Sequence, residues 1–442
     1  MASEPAATSH AQLRVQADLF AEISFVAFLL LIFVGLKPFA IRDMSLLPLG
    51  DSGNGAGDVW RQVCYLGTFT AIVFCAWRRD GARVFSAVPL LLAALLLWCV
   101  ATGLWAQTPA IAIRRAGLEM VIAISAMLSV QMLGVERSLT LLRSVLGCVL
   151  VVNFVSIAVV HQAIHLPDES DKQLIGNWRG LYFHKNIAGA VTALTAILFI
   201  FRAMETRRVA HWLLFAAAVF FTIMTRSKTS LGLLPIALLS AVVFRFTRPQ
   251  SLERWIVLIA GGLVLALATL SLIVDQHAIE RLLTDPTEFT GRVAIWQAEF
   301  AFVRDHPLLG AGFGSFADTG ALSPLYNYVT DKWVQGEAHG HNAYLQLLVT
   351  IGGVGFVLAM LALVVQPALA LRRIEDRQEV VLFTPLFALF VFVVLHNFVE
   401  SDFLEGDSPV WVGFLLMLGC LHARQAAQLQ PLRAPALAWS AP

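Results

Sequence analysis

The feature that most limits what this chain can fold into is a succession of apolar runs, each about as long as a bilayer is thick. A helix rising 1.5 Å per residue needs ~20 apolar residues to cross the hydrocarbon layer. Runs near that length lie at about 23–40, 60–77, 86–105, 115–133, 140–160 and 186–202. Others lie near 209–225, 230–245, 255–274, 343–366, 379–398 and 408–423. Backbone groups in lipid have no water to bond, so such runs close their hydrogen bonds internally as helices. The expected class is an all-α, polytopic membrane protein with about twelve spans. Composition agrees: of 442 residues 58% are hydrophobic and 14% charged, more apolar surface than a soluble core of that size can bury.

The 31 basic and 30 acidic side chains nearly cancel, so nothing points to nucleic acid. The five cysteines, Cys64, Cys75, Cys99, Cys148 and Cys420, all fall inside apolar runs without CxxC spacing and read as small core hydrophobes. The first apolar run follows a weakly basic segment carrying Arg14. It exceeds the ~7–15 residues of a cleavable leader's apolar region and reads as an uncleaved first helix.

Where the cations sit sets the orientation, because short cytoplasmic loops retain Lys and Arg. Alternate connections carry Arg78, Arg79 and Arg83, then Arg137, then Arg202, Arg207 and Arg208, then Arg245, Arg248 and Arg254, then Arg372, Arg373 and Arg377. The tail adds Arg424 and Arg433. This predicts a cytoplasmic N-terminal tail over 1–20, nine spans within 21–274, a large periplasmic loop over 275–342, three spans within 343–425, and a cytoplasmic tail over 426–442.

The other face has fewer loops, and these also hold cations. NWRGLYFHKN at 177–186 supplies Arg179, His184 and Lys185; TRSKTS at 225–230 supplies Arg226 and Lys228; the 275–342 loop supplies Arg281, Arg292, Arg304 and Lys332. A cation on the disfavoured side either has a task or pairs with a neighbouring carboxylate. Arg226 and Lys228 stand at a helix start, where free N–H groups and the dipole favour phosphate; as snorkelling anchors they fit equally well. Thr287 or Thr290 would cap a helix that His306-Pro307 ends. On it Arg292, Trp296 and Glu299, at i, i+4 and i+7, share a face.

HGHN at 339–342 places an imidazole where the loop re-enters the membrane. His341 there can take a proton from a sugar hydroxyl while Asn342 or His339 orients the substrate; an interfacial histidine satisfied by backbone is the plainer alternative. His339 and His341 are spaced i, i+2 with no obvious third or fourth ligand, so neither a metal nor another cofactor is expected. GAGFG at 310–314 lacks a preceding strand and reads as a tight turn rather than a phosphate loop. Glu400, Asp402, Glu405 and Asp407 form an acidic patch that either offsets the cations or binds hydroxyls. Several cations beside one histidine suit a diphosphate leaving group, whose growing charge Arg and Lys stabilise.

TRSKTSLGL, the GRVAIW segment with HPLLGAGFGSF after it, and HGHNAYLQLLVTIGGVG, in that order within about 180–370, resemble the O-antigen ligase and polymerase superfamily. WRGLYFHKNIAG, SKTSL and HNFVESDF are most similar to its exopolysaccharide-production polymerase branch. The resemblance implies a GT-C-like, metal-independent inverting glycosyltransferase of the bacterial inner membrane. It would move a glycan from undecaprenyl diphosphate to an acceptor hydroxyl on the periplasmic face. The acceptor would be a growing glycan or lipid A-core, and a polysaccharide flippase and a chain-length regulator would be partners. The family's loop arginine matches Arg292 and its histidine matches His341. The arginine of its SR-containing helix start falls on Lys228, which keeps charge without the bidentate fork, so Arg226 or Arg179 would share the phosphate. A transporter or flippase of lipid-linked glycan explains the span count too, but such proteins tend to show repeated halves and ionisable groups at mid-helix.

Overall fold

The computed structural model describes residues 4–40, 58–167, 172, 174–247, 290–329 and 340–429. Among these are twelve α-helices: α1 (Glu4–Phe33), α2 (Val59–Asp80), α3 (Leu90–Ala101), α4 (Pro109–Leu133), α5 (Val135–Val159) and α6 (Lys185–Thr206), then α7 (Val209–Thr225), α8 (Lys228–Phe246), α9 (Thr290–Asp305), α10 (Ala343–Arg372), α11 (Arg377–His396) and α12 (Pro409–Leu429). The protein is an all-α polytopic membrane protein. Eight of the described helices (α2, α4, α5, α6, α8, α10, α11 and α12) are long and apolar enough to cross a bilayer, and α3 and α7 are shorter apolar helices. The run expected near 255–274 lies outside the described residues.

Helices α6, α11 and α12 are buried along most of their length, whereas α2 turns most of its surface outward. The small residues of α6 explain its central place. Ala188, Gly189, Ala190, Ala193 and Ala196 are all buried and let neighbours approach closely, the packing mode available where lipid is as apolar as any side chain. Phe244 of α8 stacks on Phe387 of α11 with ring centroids 4.4 Å apart.

The basic connections gather at one end of the bundle. There Arg79 pairs with Asp18, Arg137 with Glu22 and Arg424 with Glu379, while His422 Nε2 and Ser86 O lie 2.8 Å apart. The segments 160–167, 174–184, 225–227, 306–329, 340–342 and 397–408 lie at the other.

At that end α10 is broken. Gly352 has φ 68° inside the helix, and the turn after α9 fits into the gap. Ala311 N donates to Val349 O (2.8 Å), Gly312 N to Thr350 O (2.9 Å) and Gly353 N to Pro307 O (2.9 Å). The Trp98 indole N–H takes Ile351 O at 3.0 Å, and that of Trp105 takes Leu309 O at 3.1 Å. A break in a membrane helix frees backbone groups that must find partners, and loop and indoles supply them. The glycine requirement follows. Gly310 (φ 69°) and Gly352 each lack room for a Cβ because the other segment's backbone occupies it. GAGFG is thus a structural turn, as its sequence context predicts.

Candidate active site

α9 runs from Thr290 to Asp305 and stops before Pro307, as expected. Trp296 and Glu299 both meet Gly340. The indole N–H of Trp296 donates to Gly340 O at 2.6 Å, and the Glu299 carboxyl lies so close to the Gly340 Cα that a Cβ there would overlap it. Their common face is the one the i, i+3 spacing predicts.

Gly340 precedes His341, which adopts φ 50°, a left-handed conformation unusual for a residue with a Cβ. Strain of this kind persists where surroundings over-determine it, and it clusters at functional sites. Here the clamp is three-sided. Trp296 holds the preceding carbonyl, Asn342 Oδ1 accepts Leu345 N at 3.1 Å as the cap of α10, and Ala343 N donates to Asn397 O and Glu400 O at 2.9 and 3.1 Å.

The imidazole of His341 is partly open, its side chain 32% exposed, and Nδ1 lies 3.1 Å from Glu400 Oε2. A carboxylate only accepts, so Nδ1 is the donor in this contact and Nε2 is the ring nitrogen not engaged by Glu400. Glu400 is fixed in turn by Asn186 Nδ2, which donates to its other oxygen at 2.8 Å. The loop bearing Glu400 is knitted by HNFVESDF: Asn397 Oδ1 accepts from Asp402 N and Phe403 N, and His396 Nδ1 lies 2.6 Å from Asp402 Oδ2.

Asn186 belongs to the first turn of α6, whose N-terminus is capped by two imidazoles. His184 Nδ1 accepts Asn186 N and His165 Nε2 accepts Lys185 N, each at 3.2 Å. Burial and the neighbouring His165 push the His184 pKa down to about 4, which keeps its capping nitrogen unprotonated. One turn along α6, Gly189 packs on Ser227 and Thr225. Arg226 and Lys228, both exposed, therefore flank the same turn of α6 that holds Glu400, with Arg226 ending α7 in a left-handed conformation (φ 50°).

Arg179 has a different environment. It is 2% exposed, and its guanidinium donates to Gln162 O (2.6 Å) and Phe183 O (3.1 Å), bracing the segment that carries His184. Arg292 lies in the first turn of α9, with its side chain outside the described residues; His339 lies outside them altogether.

Beside Gly340, the residue before His341, is a cavity of about 790 Å³ walled by α2, α4, α9, α10 and the 403–407 loop. The acidic patch is distributed between two tasks: Glu400 faces His341, and Asp407 takes a two-pronged contact from Arg61 and a hydrogen bond from Tyr65 (2.9 Å) at the cavity wall. Across it, Arg115 binds Asp318 at 2.9 Å and the carbonyl of Gly314. Sequence reasoning missed the pairing role of Glu400 and the contributions of Asn186, Arg61 and Arg115. The adjacent Arg114 and Arg115 near the start of α4 were the available signal.

Residues 213–360 match the family model for O-antigen ligase. The match supports the O-antigen ligase and polymerase superfamily. No curated protein matches the chain. The matched stretch contains Arg226, Lys228, Arg292 and His341, whereas Asn186, Glu400 and the α2 and α4 walls of the cavity lie outside it. The candidate site is therefore completed by helices before and after the matched stretch.

Proposed function

We propose that this protein transfers a glycan from undecaprenyl diphosphate to an acceptor sugar hydroxyl with inversion, and that its product is a secreted exopolysaccharide. The observation that carries this reading is the His341–Glu400 pair, with the imidazole partly open and its Nδ1 held by the carboxylate. Nε2 takes the proton of the acceptor hydroxyl, and that oxygen attacks the anomeric carbon. The carbon–oxygen bond to the diphosphate breaks, its electron pair leaving with undecaprenyl diphosphate. The imidazolium, stabilised by Glu400, then returns its proton to water. Lys228, Arg226 and Arg292 neutralise the departing diphosphate, for which the first N–H groups of α8 add a partial positive charge. Arg179 supports them through the segment it braces, and Asn342 and His339 flank the base.

The clustering of basic connections at the opposite end supports a periplasmic site and cytoplasmic termini in a bacterial inner membrane. The 275–342 loop is then the periplasmic one, and a flippase and a chain-length regulator are the expected partners. Polymerisation is favoured over ligation to lipid A-core by the WRGLYFHKNIAG and HNFVESDF resemblance. The experiment is reconstitution of the purified protein with lipid-linked donor and acceptor. Lengthening of the lipid-linked chain supports polymerisation, and transfer to lipid A-core supports ligation. Full polymer synthesis by both His341→Ala and Arg292→Ala at normal expression would overturn the site.

A further inference from the structure

The cavity beside His341 has a wall chemistry of its own. Glu299 is 3% exposed and lines the cavity, and its Oε2 has no hydrogen-bond partner among the described residues. An unpaired ionised carboxylate at such a depth costs several kcal/mol, so the group stays neutral; burial raises its pKa to about 8. A neutral carboxyl has one O–H to give as well as lone pairs to receive. Across the cavity, Arg114 lies on the wall with neither an ion pair nor a hydrogen bond among the described residues, in contrast to Arg61 and Arg115, which are both engaged. Gln62 and Gln346 add amides, and Tyr65, Phe313 and Phe403 add flat apolar surface. The volume, about 790 Å³, falls within the ~300–1,000 Å³ usual for small-ligand sites.

Neutral donors and acceptors, one unengaged cation and ring faces suit a saccharide. Position adds a second argument. In an inverting displacement the entering oxygen and the leaving diphosphate stand on opposite faces of the anomeric carbon. Gly340, next to His341, lines the cavity, whereas Arg226 and Lys228 at the start of α8 are not among its lining residues.

We propose that this cavity holds the end of the acceptor glycan, with Glu299 donating to a sugar hydroxyl and Arg114 binding an oxygen-rich or carboxylate-bearing sugar, so that the hydroxyl to be glycosylated reaches His341. The inference rests on the glycosyl-transfer reading. It makes Glu299 and Arg114 specificity residues for the acceptor rather than for the donor.

The test uses purified full-length protein, a lipid-diphosphate-linked donor, and short oligosaccharides released by mild hydrolysis from the host's own surface polysaccharide as acceptor. KM for each substrate is measured in the unsubstituted protein and in Glu299→Gln, Glu299→Leu and Arg114→Gln. Loss of a desolvated hydrogen-bond partner predicts a rise of about tenfold or more in acceptor KM for Glu299→Leu and Arg114→Gln, with donor KM unchanged. Glu299→Gln, which keeps a donor and an acceptor, stays within about threefold. Unchanged acceptor KM in folded Leu and Gln variants that still transfer would overturn the acceptor site and leave the glycosyltransferase reading intact. A rise in donor KM alone would assign the cavity to the wrong substrate and overturn it equally. Absence of transfer by the unsubstituted protein with every such acceptor and with lipid A-core would remove both.

Discussion

His341 and Glu400, 59 residues apart in the chain, meet at 3.1 Å through Nδ1 and Oε2. The contact joins the start of α10 to the loop before α12, and Asn186 ties both to α6. In the proposed mechanism the base is thus oriented by a carboxylate that is itself fixed, an arrangement in which each member is testable by a substitution that alters chemistry more than shape.

Replacement of the imidazole should remove general-base catalysis. His341→Ala is expected to lower kcat by ~10²–10⁴ with little change in donor KM. Glu400→Gln should act in the same direction, because an amide no longer dictates which ring nitrogen carries the proton. Steady-state transfer kinetics check both. A Glu400→Gln enzyme with unaltered kcat would show that the pair has no catalytic task.

The joint between the turn after α9 and the break in α10 predicts a stability effect. Gly310→Ala or Gly352→Ala adds a methyl at a positive φ and against opposing backbone, at a cost of about 2–4 kcal/mol. Gly67→Ala, in α2 with open space around it, should leave the melting temperature unchanged or raise it. Thermal unfolding in detergent distinguishes them.

The imidazole cap of α6 makes stability depend on mild acid. The His184 pKa is depressed to about 4 from an ordinary 6.5, so the unfolded chain binds a proton more readily than the folded one across that interval. Its contribution is complete above about pH 6.5 and is lost as pH falls towards 4. His184→Asn retains a capping oxygen without a titrating ring and should flatten this part of the melting-temperature profile.

Glu299 predicts the opposite slope. Its pKa is raised to about 8 by burial, so its favourable contribution is complete below about pH 4.5 and falls away as pH rises through 8. Melting temperature between pH 6 and pH 9 should drop more in the unsubstituted protein than in Glu299→Gln, which carries no ionisable group there.

Much of this architecture was legible in the sequence because the signals are local. Apolar run length gave the helices, the basic loops shared one end, and the spacing of Trp296 and Glu299 correctly placed them on one face of a helix that Pro307 stops. His341 stands just before the start of α10, where the apolar run that follows it begins. What was not legible was pairing between distant segments. Glu400 looked like one acid among four, and only the fold divides them, sending Glu400 to His341, Asp402 to His396 and Asp407 to Arg61, a residue 346 positions away. Arg179 read as a free cation because sequence does not show the carbonyls of Gln162 and Phe183 that surround it. The cavity wall was likewise hidden, since α2, α4, α9 and α10 come together only in three dimensions.

The break at Gly352 bears on how the protein is made. A continuous apolar helix can enter the bilayer by itself, but a segment with exposed carbonyls at Val349, Thr350 and Ile351 would bring unpaired dipoles into oil. The second half of the chain therefore settles only once the residues around Gly310 have reached it. Membrane integration and folding of the turn after α9 become one step, and a chain cut between Gly310 and Gly352 should fail to assemble even though every apolar run is still present.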